Sequence, residues 1–196
     1  MTDPRVLRSR GALLEAALDE LAAAGYAAFS MESVAARAGV GRSTLYRHWN
    51  DRLQLIADAL ETLNVQPGPP DDAPAQEPEW GHVEKLLRHL ARALTDSAVS
   101  RCLPALVHAA EQDAGVREFL QGYSLRRRQA LVSVIADGIA RGEFRSGDPE
   151  TMADALSGAV FYRRLMTGLP VAPGEVPGLV AAVLGDRMRR PDRGET

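Results

Sequence analysis

Eight side chains between Ser30 and Arg52 could together hold an acidic polymer: Ser30, Arg42, Ser43, Thr44, Tyr46, Arg47, His48 and Arg52. Guanidinium groups, hydroxyls, a phenol and an imidazole all donate hydrogen bonds to phosphate oxygens and to the edges of bases. Six of the eight crowd into the seven residues from Arg42 to His48, around one apolar residue, Leu45. A helix used only for packing has no need of so many donors.

The flanking spacing predicts the elements that position them. Met31, Val34, Ala35 and Ala38 fall at i, i+3, i+4 and i+7, one apolar stripe of a helix. Ser30 stands just before it, where a hydroxyl accepts from an orphan backbone N–H. Gly39 permits the left-handed conformation that ends a helix, and Val40 can plug the corner. A second helix then begins at Arg42. Helix, short turn and donor-rich helix fit a DNA-reading helix-turn-helix. Two plain amphipathic helices joined by a glycine have the same spacing, and only the donor density separates the two readings.

This segment resembles the TetR family of transcriptional regulators. Their pattern is roughly Thr/Ser-Met/Val-x-x-Ile/Val-Ala-x-x-Ala-Gly-Val-Ser-x-x-Thr-Leu-Tyr-x-His/Tyr-Phe. Ser30, Met31, Val34, Ala35, Ala38, Gly39, Val40, Thr44, Leu45, Tyr46 and His48 match it. Gly41 stands where the family usually has a capping Ser, and Trp49 replaces the usual Phe. The match covers roughly residues 1 to 60. The resemblance implies that Arg42, Ser43 and Arg47 face base edges, while Ser30, Thr44, Tyr46, His48 and Arg52 hold phosphates. Arg5, Arg8 and Arg10 read as a solvated helix end, or, as the resemblance implies for one or two of them, touch the DNA backbone.

Composition narrows the alternatives. Net charge is -3, so DNA binding must come from a local basic face rather than from bulk charge. Between Arg37 and Arg52 the arginines at 37, 42, 47 and 52 face one acid, Asp51. Phosphate contacts of that kind supply most of the salt-dependent affinity. The single cysteine, Cys102, excludes an intrachain disulfide. No run of about 18 apolar residues and no signal-like start occurs, so a cytoplasmic chain without membrane contact is expected. No two of His48, His82, His89 and His108 stand at i, i+4, and no phosphate loop or nucleophile elbow occurs. Neither a metal, a cofactor nor an enzyme is expected.

Along the chain the pattern is helical throughout. Asp3-Pro4 opens a first helix with Leu7, Leu14, Leu18 and Leu21 on one face, ended by Gly25. Residues 1–50 then form the DNA-binding domain, and a bridging helix capped by Asn50-Asp51 runs over about 51–64. The prolines at 67, 69, 70, 74 and 78 make 65–79 a loop or linker. Residues 80–196 form a second helical domain. Pro104 is tolerable there only in the first turn of its helix. Asp113 opens a long helix, and two more follow over about 149–167 and 175–187. Arg126 to Arg128 read as a solvated or ion-paired face. The fold class is all-α, about nine helices without a sheet.

The resemblance implies that the last two long helices pair with their copies in a homodimer bound to a double-stranded DNA operator. It also implies a small, often apolar effector in the second domain, whose binding would shift the bridging helix and release the protein from DNA. Trp80, His89, Phe119, Tyr123, Phe161, Tyr162 and Met166 are the candidate lining; at helical spacing they suit a packed core equally well. A repressor relieved by a small molecule is one reading. A helical dimeric DNA-binding or interaction module without an effector is the other.

Overall fold

A computed structural model describes residues 4–62, 79–95 and 97–185. Most of the proline-rich segment, Leu63 and the tail from 186 onward lie outside these. Among the described residues there are nine α-helices and no strand: α1 Pro4–Ala28, α2 Met31–Arg37, α3 Arg42–His48, α4 Arg52–Thr62, α5 Glu79–Thr95, α6 Ala98–Ala110, α7 Ala114–Ala140, α8 Pro149–Tyr162 and α9 Val176–Leu184. A π-helical turn, Arg163–Thr167, continues α8.

The described chain divides into two compact units that do not follow sequence order. Residues up to 62 with 97–123 form the first, and 79–95 with 124–185 the second. The boundary expected near 65–79 is therefore one crossing among several. Helix α6 and the first third of α7 fold with the N-terminal helices rather than with the rest of the second domain.

In the first unit α1 is the central post, packed on α2, α4 and α6. Leu13, Leu14, Ala17, Leu18 and Leu21 are buried along it, whereas Leu7, a turn or more before them on the expected face, is 58% exposed. Gly25 breaks α1 with φ 73°, which bends its last residues. Helix α6 begins earlier than its apolar pattern suggests, because Ser97 accepts from the Val99 N–H and caps it. Pro104 consequently sits in its interior, contrary to the first-turn expectation. The ladder bond lost there is offset by burial of Cys102, Leu106, Ala109 and Ala110. The Cys102 thiol donates to Leu18 O at 3.3 Å, and burial pushes its pKa up to about 11.

In the second unit α8 packs on α5 and α9. Asp148 caps α8 by accepting from the Thr151 N–H. Arg128 of α7 is held by Asp154 and Glu150 of α8, the ion-paired version of the expected arginine face. Trp80 packs on Phe144, ring centroids 5.9 Å apart.

Candidate nucleic-acid interface

The turn between α2 and α3 closes by backbone geometry. Gly39 has φ 64°; its N–H donates to Ala36 O, and the Val40 N–H donates to Ala35 O. These are the paired bonds of a Schellman end, which needs a residue without a Cβ at the left-handed position. Ser30 accepts from the Ser33 N–H at 3.2 Å and caps α2. Gly41 begins α3 without any side-chain cap bond.

Helix α3 is anchored from beneath. Leu45 is fully buried and Trp49 is 3% exposed. The Trp49 indole N–H donates to Asp58 at 3.0 Å, Arg10 ion-pairs with the same carboxylate, and its guanidinium lies 5.4 Å from the indole centroid. One carboxylate of α4 thus ties α1 to the end of α3. Phe at position 49 has no N–H, so this bond exists only because the family's usual aromatic is replaced.

Above that anchor Arg42, Ser43 and Arg47 are exposed. Neither arginine is hydrogen-bonded or ion-paired among the described residues. The other sequence candidates are engaged differently. Thr44 is half-buried. Tyr46 is 45% exposed, but its hydroxyl donates to Glu32 Oε1 at 2.9 Å. His48 has its Nε2 buried without a partner, so only the other ring nitrogen can reach a phosphate. Arg52 is turned onto α1: it donates to Tyr26 O at 3.0 Å and stacks on the Tyr26 ring at 4.1 Å. Arg37 is drawn to the buried Glu20 at 3.3 Å. Of the four arginines counted in this stretch, only Arg42 and Arg47 stand clear, because α1 offers acceptors to the other two.

Glu32 is the residue that sequence reasoning missed. Its Oε1 accepts from Tyr46 and its Oε2 from the Ser30 hydroxyl at 3.3 Å. Its carboxyl pKa is lowered, first by a backbone N–H and then by the phenol, and the same contact raises the phenol of Tyr46. It lies outside the Arg37–Arg52 window in which charge was counted, and no local pattern marks it.

The seven candidate effector contacts divide between the units. Phe119 and Tyr123 are ring partners at 5.8 Å in the first. In the second, Trp80 is 6% exposed and its indole donates to Glu84, while Tyr162 and Met166 are 62% and 74% exposed. A packed indole and two side chains open to solvent do not line one enclosed cavity. His89 and Phe161 are half-buried, and burial followed by the Arg127 charge lowers the His89 pKa. Elsewhere, in the first unit, an open cleft of about 350 Å³ is lined by Tyr26, Arg52, His108, Gln112 and Asp113 among others.

Two family profiles match the sequence of this chain. One, described as bacterial regulatory proteins of the tetR family, matches residues 13–59. The other, a tetracyclin repressor-like C-terminal domain, matches residues 79–183, more than half of the chain. The chain belongs to the TetR family. Members of this family are DNA-binding transcriptional regulators, not enzymes. This TetR-family chain is 28% identical to the DNA-binding transcriptional repressor TetR of Mycobacteroides abscessus, over 88% of its own length and 90% of the relative's. The crystal structure of the TetR family transcription regulator SCO0332 covers 90% of this chain and 97% of its own, with 29% identity and a TM-score of 0.63. The fold is shared with AibR, solved with isovaleryl coenzyme A and operator DNA, at 19% identity, a TM-score of 0.61 and coverage of 91% and 98%. No described helix is long and apolar enough to cross a membrane.

Proposed function

We propose that this TetR-family regulator is a homodimeric repressor of a palindromic operator, released by a small molecule. The observation that carries the reading is α3: Arg42, Ser43 and Arg47 project without partners from a helix locked at Leu45 and Trp49. Their donors are free for base edges. Thr44 and the other ring nitrogen of His48 flank them as phosphate contacts. Ser30 and Arg52 act first as a helix cap and a stacking cation, so either must give up a present partner to touch DNA.

A dimer is favoured by the outer face of α8 and the π-helical turn that continues it, where Ala155, Gly158, Tyr162 and, in the turn, Met166 are exposed. Small residues admit a second helix closely, and two large apolar side chains open to water mark an interaction face. Two copies would set two α3 helices about one DNA turn apart, roughly 34–36 Å. An effector is supported by AibR, which was solved with both an acyl coenzyme A and operator DNA. The packing of Trp80 and Tyr123 supports a second reading, a dimeric DNA-binding module without an effector.

The test has three arms. Duplexes selected from a random pool, together with the region upstream of the protein's own reading frame, are titrated by fluorescence anisotropy. Sedimentation checks the dimer. A thermal-shift screen of small molecules separates the two readings, since a ligand raises the melting temperature by mass action. Retention of no sequence above the random pool defeats the proposal.

A further inference from the structure

We propose that Glu32 tempers the affinity of the DNA-reading surface: a fixed negative charge that weakens binding to phosphates whatever the sequence. This rests on the reading that α3 faces DNA. Both carboxylate oxygens are held by neutral hydroxyls, Oε1 by Tyr46 and Oε2 by Ser30. Neutral donors fix the carboxylate in place without cancelling its charge. Arg42 attracts it from α3, yet forms no ion pair with it among the described residues. The Tyr46 phenol has one proton to give, and it is given to Glu32 rather than to a phosphate.

The consequence is electrostatic. Glu32 sits one hydrogen bond from a side chain of the reading helix, so a phosphate on that flank lies within the screening length, about 8 Å at physiological salt. Binding to arbitrary DNA consists almost entirely of phosphate contacts and bears the full repulsion. Binding to a cognate site makes the same phosphate contacts, bears the same repulsion, and adds base-edge bonds from Arg42 and Arg47. Affinity for DNA of any sequence is therefore lower because Glu32 is present, and an arbitrary duplex reads that effect without the base-edge bonds.

Glu32→Gln isolates the charge, because Gln still accepts from the phenol. Glu32→Asp keeps the charge but shortens the reach. The probe is a random-sequence duplex titrated by anisotropy across a salt series with the full chain, melting curves serving as the folding control. The expected result is tighter binding by Glu32→Gln at low salt. Its slope of log affinity against log salt should steepen by up to about 0.9 per protomer, the value for one full phosphate contact, with Glu32→Asp keeping the wild-type slope. An unchanged or shallower slope for Glu32→Gln overturns the proposal, as does an equal change in both variants. If wild type and both variants all fail to bind the duplex at low salt, the DNA-facing reading of α3 falls, and this inference with it.

Discussion

Replacing Arg42 or Arg47 with Ala tests the interface most directly, because neither guanidinium makes a hydrogen bond or ion pair among the described residues, and Arg42 has only the charge of Glu32 to attract it. Both are exposed and unpaired among the described residues, so truncation removes no intramolecular bond. Stability should stay within about 0.5 kcal/mol of wild type, as for surface positions without special contacts. The loss should appear only on DNA. A bidentate arginine–guanine pair discriminates by about 1–3 kcal/mol, and a two-fold dimer makes it twice. Each substitution should therefore weaken cognate binding by about 2–6 kcal/mol, at least about 30-fold, while binding to arbitrary duplexes falls only by the lost charge. The assay is anisotropy on a selected duplex and on its single-base variants, at one fixed salt concentration. The preference at the contacted base should relax in the variant. An equal loss on every sequence would refute the base-reading role, and a large drop in melting temperature would show that these side chains are structural.

Four further outcomes follow from the packing. Gly41→Ser should stabilise the chain by a few tenths of a kcal/mol, since a hydroxyl there can cap α3 and the nearest atom to an added Cβ is 3.9 Å away; thermal melting reads it. Gly138→Ala should destabilise by about 1–3 kcal/mol, because a methyl would overlap the Phe144 ring; chemical denaturation measures it, and a neutral result would contradict the packing. Trp49→Phe should cost about 1 kcal/mol or less in melting experiments, as Asp58 loses the indole N–H but keeps Arg10. Asp148, bonded by the Thr151 hydroxyl and N–H, and Glu175, bonded by Arg163, both have lowered pKa values. Their contribution is present above the ordinary values of 3.8 and 4.5 and is lost as pH falls through the lower folded values. Melting temperature should therefore fall below about pH 4, and Asp148→Asn should flatten that decline.

The sequence by itself determined the helix-turn-helix. A stripe at i, i+3, i+4 and i+7, a Ser cap, a glycine at the left-handed position and a run of donors are local signals, because helix formation and capping depend on near neighbours. The helix order, the cap at Asp148 and the long α7 after Asp113 were legible for the same reason. Only the tertiary structure decided which donors are free. Glu20, seventeen residues from Arg37, and Tyr26, twenty-six from Arg52, engage two arginines that a linear count leaves open. Glu32 arrives beside Tyr46 from fourteen residues away and places an acid where the linear count had none. The folding of α6 onto α1 likewise allowed Pro104 in a helix interior and divided the aromatic candidates between two units. Partnerships between distant side chains depend on how helices dock, and docking is set by the whole set of buried contacts rather than by any window of sequence.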